Sequence, residues 1–152
     1  MPGHSTQQSQ PASSEELRTI FATHGLRTTR QREAVFSALC SRHDHPTADQ
    51  LLARVHEIDP EVSQATIYNT LDTLVERGLA KRLPASSSGG ACRYDANTDE
   101  HIHMVLSDGR ILDVPMDLSR KIIDSVPESV LRELAERTGI ECAGIKIELM
   151  GR

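Results

Sequence analysis

The chain reads as an α+β protein in two parts: a helical first half closing on a short hairpin, and a small α/β second half. Three observations predict this. Four amphipathic segments, each opened by Ser or Thr, fall before residue 80. Two strand-like runs then bracket the Ser- and Gly-rich stretch 85–90. From residue 96 the apolar runs shorten around an Asp108-Gly109 turn, with one more helical pattern before the end.

Residues 1–12 are rich in Ser, Gln, Pro and Gly with almost nothing to bury, and are expected to be a disordered tail. Ser13 and Glu16 form a capping box ahead of Leu17, Ile20 and Phe21, with Gly25 as the stop. Thr28 with Gln31 repeats the signature before Val35, Phe36 and Leu39. Between these two helices Arg27, Arg30 and Arg32 cluster at a helix start, either as solvated charge or as a clamp for a phosphate. His45 and Pro46 precede a third helix capped by Thr47 and Gln50, with Leu51, Leu52, Val55 and Ile58 as its apolar face. Ser63 opens a fourth, in which Ile67, Leu71, Leu74 and Val75 face inward up to Gly78. Helix, short turn and helix at this spacing suggest a helix-turn-helix. It would present Gln64, Thr66, Tyr68 and Asn69, types suited to base edges and thymine methyls. Segments 79–84 and 91–95 form the hairpin, to which Lys81, Arg82 and Arg93 lend positive charge. Together these elements make a winged helix, expected over 13–95, with a hinge at 96–100.

The second half, 101–152, carries strands expected at 101–107 and 110–114, an ambiguous segment at 117–125, a helix from Pro127 to Gly139 through Val130, Leu131 and Leu134, and a last strand over 140–150. So few residues bury little surface alone, so pairing with a second copy is the natural remedy and this half is expected to be a dimerisation domain.

Within 93–113 the chain concentrates Asp95, His101, His103 and Asp113. Alternate residues of a strand point the same way, so His101 and His103 share a face with Ile102 on the other. Such a pair is polar decoration as readily as a metal grip. The nearby carboxylates favour the grip, and nitrogen with oxygen donors suits divalent iron, manganese or zinc.

The net charge of −5 argues against a general polyanion binder, so DNA binding must rest on a local basic surface. The first 95 residues carry 10 Lys and Arg against 11 Asp and Glu, and the remainder 7 against 11, which places the acidity in the second half. With no Trp, two Tyr and two Phe, the core must be mainly Leu, Ile, Val and Ala. No apolar run is long enough to span a membrane and no signal-peptide pattern opens the chain, so a cytoplasmic protein without a membrane partner is expected. Cys40, Cys92 and Cys142 form no C-x-x-C and are expected to be small buried apolar residues.

The run Gly25-Leu-Arg-Thr-Thr-Arg-Gln-Arg32, then 45–49 (His-Pro-Thr-Ala-Asp), 65–71 (Ala-Thr-Ile-Tyr-Asn-Thr-Leu), Gly78-Leu79, and Arg93-Tyr-Asp95 through His101-x-His103 to Asp113, resembles the ferric uptake regulator family. The resemblance covers nearly everything from residue 15 to 151 and is nearest to the family's peroxide-sensing branch. It implies a DNA-binding homodimer acting on an inverted repeat of double-stranded DNA, not an enzyme. It also implies one regulatory divalent metal per subunit, iron(II) or manganese(II), with zinc a substitute in vitro. By position the ligands fall on His45, Asp95, His101, His103 and Asp113, and His45 and His101 are the candidates for oxidation by peroxide. Aspartate rather than glutamate at position 95 is what leans toward peroxide sensing. The two C-x-x-C pairs that give many relatives a structural zinc are missing, so no cysteine zinc is expected here. An iron- or manganese-responsive uptake regulator, a mononuclear non-haem iron oxygenase, and a DNA-binding dimer with a purely structural metal are the alternatives.

Overall fold

The computed structural model describes residues 13–85 and 90–152; the tail expected at 1–12 and residues 86–89 of the hairpin loop lie outside them. The chain divides into two compact units, one ending at Thr98 and the other Asp99–Arg152.

The first unit contains α1 (Ser14–Thr23), α2 (Arg30–Cys40), α3 (Ala48–His56), α4 (Gln64–Glu76), β1 (Lys81–Leu83) and β2 (Arg93–Asp95). Its helix starts follow from local chemistry. Ser13 and Thr47 complete capping boxes with Glu16 and Gln50, and the Ser63 hydroxyl accepts from the Thr66 amide. The second helix starts one residue later than expected. Thr29 rather than Thr28 is the cap, in extended conformation, with its hydroxyl accepting from Arg32 N. At the end of α4, Gly78 takes φ +72°, while Leu79 N donates to Leu74 O at 2.8 Å and Gly78 N to Val75 O at 3.1 Å. That double return is a Schellman stop, and it turns the chain into β1.

The apolar faces of the four helices meet in one core around Phe21, Val35, Leu51, Val55, Ile67, Leu71 and Leu74, all fully buried. Phe21 and Phe36 pack with ring centroids 5.5 Å apart. Each large side chain so buried contributes roughly 1.5–3 kcal/mol. The wing is anchored to this core by Tyr94, which is 1% exposed and sits opposite Arg82 in the antiparallel β1–β2 pair. The Arg82 guanidinium lies 5.7 Å from the Tyr94 ring centroid.

The second unit contains β3 (His103–Leu106), β4 (Ile111–Asp113), α5 (Met116–Asp124), α6 (Glu128–Thr138) and β5 (Glu148–Gly151). Its sheet has the order β4-β3-β5, with β3 antiparallel to β4 and parallel to β5. The hairpin turn is wider than the two-residue form that Asp108-Gly109 suggests. Gly109 N donates to Leu106 O, Leu106 N donates to Arg110 O, and only Gly109 has positive φ, at +82°. This is a type I turn followed by a left-handed glycine.

Other expectations need correction here. The first strand begins at His103, leaving His101 just before it, and the last strand is confined to 148–151. Ile140 stands 71% exposed, α6 buries none of its residues, and Cys142 is exposed rather than buried. Of its described residues, only Ile102, Ile111, Val114 and Ser119 are among those buried. No helix among the described residues is long and apolar enough to cross a membrane.

Candidate metal centre

In the first unit His45 and Asp95 come together from residues 50 apart in sequence. His45 lies in the loop before α3 and Asp95 ends β2; both are buried. The loop is laced to the strand by Tyr94 N donating to Pro46 O at 3.0 Å, by a bridge between Thr47 and Arg93, and by Arg93 Nη1 donating to His45 O at 3.0 Å. These ties hold His45 at φ +48°, the one positive φ at a non-glycine among the described residues. A histidine in that conformation costs about 1 kcal/mol or more, which the surrounding bonds must offset. The Asp95 carboxylate divides its oxygens. Oδ1 accepts from Asn97 N at 2.8 Å, which fixes its plane, and Oδ2 lies 3.5 Å from His45 Nε2. A cavity of about 220 Å³ adjoins the pair, lined in part by Cys40, Arg42, His43 and Asn97.

In the second unit His101, His103 and Asp113 converge. Asp113 is the direct cross-strand partner of His103, and its Oδ1 lies 2.8 Å from His101 Nε2 and 3.4 Å from His103 Nε2. The two imidazole rings are tilted with centroids 4.4 Å apart. His101 Nδ1 lies 2.8 Å from the carbonyl of Asp99. A backbone carbonyl at one ring nitrogen is the partner that orients a ligand histidine and turns the other, Nε2, toward a shared cation. Two imidazole nitrogens and one carboxylate oxygen, all of hard or borderline character, fit a divalent iron, manganese or zinc ion.

The residues expected to meet DNA fall into two groups. Tyr68 and Asn69 are exposed on the first turns of α4, as are Arg27 and Arg30 near the start of α2. Arg30 has Asp59 at 3.7 Å. Arg32, Gln64 and Thr66 are engaged within the unit: Arg32 donates to the carbonyl of Arg27, Gln64 Nε2 to Asp49 Oδ1 at 3.2 Å, and the Thr66 hydroxyl meets that of Ser63 at 2.9 Å. On the wing Arg82 is paired with Asp72 of α4.

Two residues with clear structural roles near these clusters escaped the sequence reading. Ser119 of α5 is fully buried; its hydroxyl accepts from Ile102 N at 3.1 Å and donates to Val114 O at 3.0 Å, tying together the strand ends that carry His101, His103 and Asp113. A serine on the same helical face as Met116 and Ile122 was the available signal. Arg93, expected to lend the wing positive charge, turns its guanidinium to the His45 loop. Nearby, burial pushes the Cys40 thiol up to about 11. Burial, and then the neighbouring Cys92 thiol, push the Tyr94 hydroxyl up to about 12.

A four-helix unit ending in a two-stranded wing, followed by a small α/β unit that gathers histidines and an aspartate, defines a winged-helix protein with a candidate metal centre. The sequence profile of the ferric uptake regulator family matches residues 23–149, and the chain belongs to that family. Among its relatives, the peroxide-responsive repressor PerR of Staphylococcus saprophyticus is 36% identical over 100 residues, which is 65% of this chain and 66% of that protein, slightly under two thirds. The peroxide stress regulator of Campylobacter jejuni is 25% identical with a TM-score of 0.59, covering 90% of this chain and 93% of that one. The ferric uptake regulator of Vibrio cholerae, 20% identical with a TM-score of 0.65 over 90% of this chain and 98% of that one, shares the fold.

Proposed function

We propose that the chain is a metal-dependent homodimeric transcriptional repressor that senses hydrogen peroxide through iron-catalysed oxidation of a ligand histidine. The observation that carries the reading is the convergence of His101 and His103 on Asp113 at one end of a small sheet, in a chain whose other half is a winged helix. The ligand set is His45, Asp95, His101, His103 and Asp113, drawn from both units. Iron(II), when bound, supplies the reduction of peroxide; manganese(II) in the same set gives a repressor that peroxide leaves alone. The residues do the rest. His101, oriented by the Asp99 carbonyl, and His45, held by the Arg93 clasp, present their Nε2 atoms as ligands, and oxidation of either ring weakens its nitrogen as a donor. Metal binding shifts the protein from its DNA-releasing to its DNA-binding form. A full shift from 1:99 to 99:1 needs about 5.5 kcal/mol of differential binding.

The DNA face is proposed to be Arg27, Arg30, Arg32, Gln64, Thr66, Tyr68 and Asn69, on an inverted repeat spaced by the dimer. Dimerisation is assigned to the second unit, where Leu118, Val130, Leu134 and Ile140 are exposed in the single chain. With Cys142 as its single cysteine, that unit is proposed to hold together without a cysteine zinc site. The relatives named peroxide-responsive support the choice of signal, as does aspartate at position 95.

The test is DNA binding by the dimer loaded with iron(II) or manganese(II), before and after mild peroxide, with mass spectrometry of the peptides holding His45 and His101. Release of DNA by the iron form alone, with one oxygen atom added to a histidine, is the expected result. If both forms stay bound and unmodified, the chain is an iron- or manganese-responsive uptake regulator instead.

A further inference from the structure

Arg93 is a cation on the wing, where a phosphate contact would be its natural role, but its side chain is committed elsewhere. Nη1 donates to the carbonyl of His45 at 3.0 Å and approaches Gln50 Oε1 at 3.4 Å. That same Oε1 accepts from Thr47 N at 3.0 Å in the capping box of α3. One guanidinium therefore spans β2, the His45 loop and the first turn of α3. The carbonyl it grips belongs to the residue held at φ +48°.

We propose that Arg93 is a positioning residue for the metal ligand His45: it locks the loop in its left-handed turn and so sets metal affinity, without touching DNA. This rests on His45 being a ligand, as proposed above. The argument is mechanical. A left-handed histidine relaxes toward extended backbone unless its flanking groups are held, and such a relaxation swings the imidazole away from Asp95. Pro46 and Thr47 are held by the backbone of β2, but the His45 carbonyl is held by Arg93. Both acceptors are met by the one nitrogen Nη1, whose N–H groups are fixed in the plane of the guanidinium where those of an ammonium rotate. Charge alone predicts the opposite outcome. A fixed cation beside a cation site repels the incoming metal, so removing it should tighten binding. The sign of the effect separates clasp from charge.

The experiment titrates the full chain with cobalt(II), without DNA, following the metal's visible absorption. It compares wild type, Arg93→Met, Arg93→Lys, His45→Ala and the charge-matched control Arg110→Ala, with far-UV circular dichroism of each metal-free protein. Methionine keeps the stem and removes the clasp. Its affinity should fall about 10–100-fold, the range seen when a partner that orients a ligand is lost. Lysine should recover part of that loss, and Arg110→Ala should bind as wild type. Exchange of the Tyr94 amide, bonded to Pro46 O, should quicken in Arg93→Met as the loop loosens. Wild-type or tighter affinity in Arg93→Met, with His45→Ala impaired, overturns the proposal and leaves the metal site standing. Wild-type affinity in His45→Ala overturns both. Should Arg93→Met fail to fold, Arg93→Lys decides: several-fold weaker binding supports the clasp, and unchanged binding overturns it.

Discussion

Replacing Ser119 by alanine should loosen the sheet that carries His101, His103 and Asp113. The hydroxyl is fully buried and serves two backbone groups at once, accepting from Ile102 N and donating to Val114 O. Alanine fits the space but leaves both groups buried with one bond fewer. Each costs about 1–3 kcal/mol when left unsatisfied, so the local loss should be roughly 2–6 kcal/mol. Ile102 separates the two histidines, and Val114 follows Asp113. The damage therefore falls on the spacing of the ligands rather than on the helical core of the first unit. Amide hydrogen exchange resolves this. At the lower figure the Ile102 amide should exchange about 30-fold faster, since every 1.4 kcal/mol is a factor of ten. Amides of α4 should keep their rates, and metal binding should weaken in parallel. An Ile102 rate within about twofold of wild type would refute the reasoning and demote the hydroxyl to a spectator.

Tyr68→Ala should weaken binding to a specific DNA site while leaving metal uptake unchanged, because Tyr68 is exposed on α4 and forms no part of either ligand cluster; loss of metal uptake would break that division. Alkylation with iodoacetamide at pH 8 should modify the exposed Cys142 well before Cys40. A thiol pushed to about 11 is only about 0.1% thiolate at that pH, and its rate should rise about tenfold per pH unit until pH approaches 11. Equal rates for the two cysteines at pH 8 would count against the partly buried placement of Cys40.

Much of the first unit could be read from its sequence because its signals are local. The caps at Ser13, Thr47 and Ser63 each depend on residues three apart, and the apolar periodicity of α4 points Ile67, Leu71 and Leu74 into the core without help from elsewhere. The misplaced cap at Thr28 shows the limit of that logic: two adjacent threonines offer similar local chemistry, and the path of the chain out of Leu26 chooses between them. The second unit was harder. Its sheet places β5 parallel to β3, a pairing that joins residues over forty apart and leaves no local signature. The alternation of Ile145, Ile147 and Leu149 with Lys146 and Glu148 therefore suggests a strand over 140–150, although only 148–151 pairs. The five candidate ligands were legible as residue types in order, and the structure adds what type cannot carry. His45 owes its direction to a left-handed backbone gripped from 48 residues away, and the positions of His101 and His103 depend on a serine hydroxyl from the following helix.

β3 runs down the middle of its sheet with both edges taken, and His103 faces Asp113 as a register pair. A shift of one residue along the hairpin would turn every side chain of the strand to the opposite face. The register of β3 against β4 is therefore what brings His103 to Asp113. A slip of the pairing by one residue would carry His103 away from Asp113 while leaving both present in the sequence.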